Sequence, residues 1–202
     1  MIESDPKKQA RGRPRQYADA AARQAAYRAR TKAKPRLQPL FDEKTIAAAH
    51  EVGHAVVLES LGGRLKYLAL ESRNRTAWTG VCLVDTMVPD AVADLKFTLA
   101  GIVAELLLTG TNKADFLAVA ENRLVDEQES RAGNDGHHAF AIAQSLRKTS
   151  AGQYNLIKTA IADVRLMLID RWGDVLEIVK LLVQHDTVSR FDPRIASVLD
   201  DC

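Results

Sequence analysis

Residues 45–60 read TIAAAHEVGHAVVLES, and the architecture turns on how this stretch folds. Asp42 stands where a helix N-cap belongs, an acidic residue follows in the first turn, and Gly62 and Gly63 supply the stop. The stretch is therefore expected to be a helix. Into it the sequence sets His50 and His54, four residues apart, with Glu51 between them. Apolar residues flank the three on both sides, so their face is not expected to lie open to water. Two unliganded imidazoles beside a carboxylate would be costly to bury.

A single metal ion would account for all three polar residues. Side chains four apart on a helix have Cβ atoms about 5–6 Å apart, close enough for two imidazoles to bind one zinc at about 2.0–2.1 Å. Glu51 then reaches a metal-bound water without being a ligand. Zinc brings the pKa of such a water near 7, so the carboxylate can take its proton during attack on a peptide carbonyl and pass it to the leaving amine. This is the HExxH arrangement of zinc metallopeptidases. The reading makes His50 and His54 ligands and Glu51 the catalytic base.

Such a site needs a third protein ligand. The extension with Gly and a further His is absent, because Val57 stands where that Gly would be. Glu105 is followed four residues on by Thr109 rather than by an acidic partner, although it suits a supporting role behind a ligand histidine or a structural hydrogen bond. Asp115, in GTNKAD (110–115), comes one residue too late for a Gly-Thr-x-x-Asp pattern. The stretch AGNDGHHAFAIAQSL (132–146) is the better source.

Around this core the chain divides in two. Residues 1–40 hold eleven Lys and Arg against three Asp and Glu, a balance of +8, so the remainder carries −6 of the total of +2. Within that basic arm, RGRPR (11–15) resembles an AT-hook core, in which extended backbone enters a narrow minor groove and arginines meet its negative potential. The Ala- and Arg-rich segment 16–34 follows, with Arg23, Tyr27 and Arg30 on one helical face and Arg28 beside them. Two readings stay open for the arm: a solvated helical or disordered tail, or nucleic-acid contact through Arg11, Arg13, Arg15, Arg23, Arg28 and Arg30. Pro35 and Pro39 then mark a linker, and a domain is expected over 41–202.

Hydrophobic residues make up 47% of the chain but aromatics only 5%, so aliphatic helix packing must fill the core. After the first helix, LKYLALES (65–72) and WTGVCLVD (78–85) predict a small hairpin. A long apolar helix is expected from about Asp90 to Leu108, then a polar connection, then helices in 135–148, 153–172 and 174–186. His185 is expected to serve as a cation at a helix C-terminus. The fold class is thus mainly α with a small β-hairpin. Cys82 and Cys202 form no disulfide framework, no apolar run spans a bilayer, and no secretory segment opens the chain; a cytoplasmic protein without membrane partners is expected.

HEVGHAVV (50–57) with LGG closing its helix, a hairpin, LAGIVAELLLTG (99–110) and GNDGHHAFAIAQSL (133–146) together resemble the peptidase domain of the FtsH family of ATP-dependent zinc metalloproteases. The resemblance covers roughly residues 42–185. It implies a mostly helical domain, zinc as cofactor, His50 and His54 as ligands, Glu51 as base and Asp135 as third ligand. It further implies an endopeptidase acting on unfolded or flexible protein or peptide; the competing reading is a non-catalytic or regulatory, DNA-associated protein that keeps zinc as a staple and works through its basic arm. Departures from the family pattern are Val52 in place of Ala, His137 and His138 as further candidate ligands beside Asp135, and no Gly-x-x-x-x-Gly-Lys-Ser/Thr loop, so activity without an ATPase of its own is expected. Oligomeric state is left open, because the family assembles mainly through that ATPase.

Overall fold

The computed structural model describes residues 41–72, 77–130 and 134–200. The basic arm, including its six named arginines, lies outside them. In chain order the elements are α1 (Glu43–Ser60), β1 (Arg64–Ser72), β2 (Trp78–Thr86), α2 (Ala91–Leu108), α3 (Phe116–Ser130), α4 (Asp135–Leu146), α5 (Ser150–Asp170), α6 (Trp172–His185), β3 (Thr187–Ser189) and α7 (Pro193–Asp200). The described residues are mainly helical, as expected, with a small antiparallel sheet.

α1 and α2 form the centre. Asp42 caps α1 by accepting from the Thr45 amide at 2.8 Å, and Asp90 caps α2 by accepting from Val92 and Ala93. Both helices end in the same way. Gly62 (φ +82°) and Gly110 (φ +70°) take the left-handed conformation, and the next amides, of Gly63 and Thr111, reach back to Leu58 and Leu106. That closure satisfies carbonyls the helix leaves orphaned, and only glycine adopts its backbone without strain. Ala48, Ala49 and Val52–Leu58 of α1, like Leu95 and Thr98–Leu106 of α2, are buried. Neither helix has a solvent face through its middle, which is the pattern of central helices rather than surface ones.

Their contact is unusually close. A Cβ added at Gly53 would stand 2.6 Å from Ala104 Cβ and 2.7 Å from the Ala100 carbonyl oxygen. The absent side chain, together with the alanines opposite, lets the two backbones approach. The buried residues of α5 and α6, among them Ile161, Val164, Leu168, Ile178 and Leu182, complete the core around them. Lys44 fastens α6 to the start of α1, donating to the Val183 carbonyl at 2.7 Å and pairing with Asp186 at 2.5 Å.

Three differences from expectation stand out. The polar connection after Gly110 contains a helix, α3, whose inward positions Phe116, Ala120 and Leu124 are buried; its charged outer face hid that four-residue period. The predicted hairpin is part of a three-stranded sheet of order β2-β1-β3, with Leu68 opposite both Cys82 and Val188. β3 is only three residues long, too short to show a strand signal, and is held by Arg190 pairing with Glu59 at 3.0 Å. α7 also went unpredicted. His185 closes α6 as expected, but its Nε2 lies 2.8 Å from Arg194 Nη1. Guanidinium can only donate, so at that nitrogen the imidazole accepts.

Replacing Gly53 by Ala is predicted to push α1 from α2 and lower stability by about 1–3 kcal/mol, as overpacking a core does. Urea unfolding followed by far-UV circular dichroism measures this; a loss below about 0.5 kcal/mol would show that the interface relaxes freely.

Candidate metal centre

Three side chains from two elements converge at one end of the α1–α2 contact. His50 and His54 come from the second and third turns of α1. Asp135 comes from the first turn of α4, whose start is fixed by Asn134 accepting from the His137 amide at 2.9 Å. His50 Nε2 lies 2.9 Å from Asp135 Oδ2, His54 Nε2 lies 3.1 Å from the same oxygen, and the two Nε2 atoms are 3.1 Å apart. These residues can hold a metal ion.

The reason lies in the tautomers. His54 Nδ1 faces the Phe97 carbonyl oxygen at 2.7 Å and must donate to it, because a carbonyl only accepts. His50 Nδ1 donates to Glu105 Oε1, also at 2.7 Å. Both Nδ1 atoms thus carry protons, so in the neutral rings both Nε2 atoms present lone pairs, aimed at each other and at a carboxylate oxygen. Three acceptors within about 3 Å repel unless a cation or a proton joins them. Ligand atoms at about 2.0–2.1 Å from a tetrahedral ion are about 3.3–3.4 Å apart, within a few tenths of an ångström of the triangle observed. The donor set, two imidazole nitrogens and one carboxylate oxygen, suits a borderline divalent cation.

Without metal, a proton joins them. Burial works to lower the pKa of His50, but the hydrogen bonds and charges of Asp135 and Glu105 outweigh it and raise the imidazole to about 10. Burial likewise pushes Asp135 upward, yet the His50 and His54 imidazoles against it hold the carboxyl well below the usual carboxylate range. Glu51, buried beside the group, is raised chiefly by desolvation, against the pull of His50 and His54.

Glycines shape the seats of two of these side chains. A Cβ at Gly101 would stand 2.5 Å from His50 Nε2, and one at Gly80 would stand 2.1 Å from Glu51 Cγ. Gly101 on α2 thus makes room for the His50 imidazole, and Gly80 on β2 for the Glu51 carboxylate. Glu105, one turn along α2 from Gly101, is buried and shared: Oε1 accepts the hydrogen bond from His50 Nδ1 and Oε2 pairs with Arg123 of α3 at 2.5 Å. The sequence left open whether it supports a ligand histidine or makes a structural hydrogen bond; its hydrogen bond is to His50. A cleft of about 890 Å³ opens over the group, walled by Thr79–Cys82 of β2, by Phe97 and by α4. A second, of about 330 Å³, reaches Trp78 and Arg123 and shares His50, Glu51 and Thr79 with the first.

Of the residues singled out in the sequence, the structure brings together His50, Glu51, His54, Asp135 and Glu105. Asp115 is exposed at the start of α3 and outside the group, and neither His137 nor His138 belongs to it. Sequence reasoning missed Gly80, Gly101, Arg123 and the Phe97 carbonyl. A glycine inside the apolar α2 was the available signal for Gly101; Arg123 gave none, because its helix was not foreseen.

The raised pKa of His50 predicts how the metal-free protein responds to pH. A group held above its unfolded value of 6.5 contributes its full stability below that value and loses it as pH rises towards 10. The midpoint of urea unfolding should fall between pH 6.5 and 10 in the metal-free protein, and much less in His50→Ala or after zinc loading, which replaces the proton. Equal falls in all three would contradict the assignment. No protein-family model and no curated protein matches the chain, so the chemistry of this centre is read from its own residues.

Proposed function

We propose that the chain is a zinc-dependent endopeptidase, the activity implied by its resemblance to the FtsH-type peptidase domain. The observation that carries this is the placing of Glu51 in a buried seat beside the His50, His54 and Asp135 group, at the floor of a cleft. Zinc, when bound by those three side chains, would supply a Lewis acid that makes a water acidic near neutrality.

The remaining work falls to the chain. Glu105 and the Phe97 carbonyl hold both ligand rings with Nε2 presented, and Arg123 keeps the Glu105 carboxylate paired. Glu51 accepts a proton from the attacking water on its carboxylate and returns it to the leaving amine nitrogen. Its raised proton affinity suits a group that must do both. β2 stands at the edge of the sheet and lines both clefts from Trp78 to Cys82. An extended peptide can pair with that edge through its main chain, which makes unfolded or flexible protein the proposed substrate.

Glu51→Gln separates this reading from a purely structural metal site. The variant is predicted to retain one zinc per chain while cleavage of fluorescein-labelled casein falls by about 10²–10⁴-fold. Full activity in that variant would remove Glu51 from the mechanism, and with it the peptidase reading. For the basic arm, whose residues lie outside those described, we propose nucleic-acid contact. Affinity for AT-rich duplex DNA should weaken steeply between 50 and 200 mM salt and vanish on deleting residues 1–36; binding unchanged by the deletion would dismiss the proposal.

A further inference from the structure

α4 carries more than Asp135 into the large cleft. Asp135, His138 and Ile142 line it together, at spacings of three and four that place them on one face of the helix. Gly136, Ala139 and Ala143 occupy the adjoining, buried face. His138 therefore sits one turn beyond Asp135, with Cβ atoms about 5–6 Å apart. It stays outside the metal-binding group. Glu51 reaches the same cleft from the other wall, seated against Gly80 of β2.

A proton acceptor and an imidazole donor thus flank the ligand triangle from two sides. Acyl transfer needs this division: the base acts at the nucleophile, while a donor must meet the carbonyl oxygen, where negative charge develops. Few other side chains along the cleft can take the second part. Thr98 is buried within α2 and the Cys82 thiol is a weak donor, which leaves the Thr79 hydroxyl and the Asn134 amide, whose oxygen caps α4, as the other donors along it. We propose that His138 is a further catalytic residue, donating a ring N–H to the carbonyl oxygen of the scissile peptide as it becomes tetrahedral. This rests on the peptidase reading above. His137, its neighbour, is absent from the cleft lining and provides a matched control.

The test compares zinc-loaded wild type, His138→Ala, His138→Gln, His137→Gln and Glu51→Gln on fluorescein-labelled casein, with zinc content measured for each. His138→Ala should lose about 10²-fold in kcat, with KM within about threefold and one zinc retained. His138→Gln, which keeps an N–H donor, should recover part of the loss, and His137→Gln should match wild type. If His138→Ala keeps kcat within about threefold while Glu51→Gln is inactive, the inference falls and the peptidase reading stands. Loss of zinc from His138→Ala, or a change confined to KM, also overturns it. No cleavage by wild type, or an active Glu51→Gln, overturns the peptidase reading and this inference together.

Discussion

Two imidazole nitrogens and one carboxylate oxygen, all acceptors once the far side of each ring has donated its proton, face one another across about 3 Å. Left bare, such a group would repel itself. A shared cation turns the same geometry into attraction, and the surroundings are arranged so that the group cannot avoid the problem. His54 is committed by a carbonyl that only accepts, and His50 by a carboxylate already paired with Arg123. Neither ring can turn its lone pair away without losing a hydrogen bond in a poorly solvated place, which costs more than the bond itself is worth.

The fold reads as the means of bringing these atoms together. α1 supplies both rings from one face, because four residues complete slightly more than a turn. α2 must then pass close enough to contribute the Phe97 carbonyl and Glu105, and it can do so only where side chains are missing. Gly53 and Ala104 let the helices touch, and Gly101 leaves the space that the His50 ring fills. α4 delivers Asp135 from 81 residues further along than His54. The cap at Asn134 fixes where its helix begins and hence where the aspartate points. The small sheet packs beside α1 and presents Gly80, so that Glu51 fits between the strand and the two imidazoles. Close packing and chemistry share the same small residues here, which is why a change at one of them disturbs both.

Much of this was legible in the sequence. The spacing of His50, Glu51 and His54 states its geometry directly, since a helix converts four residues into one face. The capping and stop signals at Asp42, Gly62 and Gly63 also lie beside the helix they bound. Asp135 was different: its role came from resemblance, because nothing local says that a residue 81 positions away shares a site. Glu105 could be suspected as a lone carboxylate on an apolar helix. Gly80, Gly101 and Arg123 could not be assigned roles, because each acts only through a neighbour supplied by another element. The same limit hid β3 and α3. A three-residue strand exists by pairing with β1, and a helix with a charged outer face shows its apolar stripe only when something packs against it.

The most direct measurement is X-ray absorption at the zinc edge on chain reconstituted with one equivalent of zinc. A first shell of nitrogen and oxygen at about 2.0–2.1 Å, with the multiple-scattering signature of two imidazoles, is the predicted result, and it should lose one imidazole in His54→Ala. Failure to take up zinc, or a shell containing sulfur or lacking the two rings, would contradict the convergence on which the site and its proposed chemistry depend.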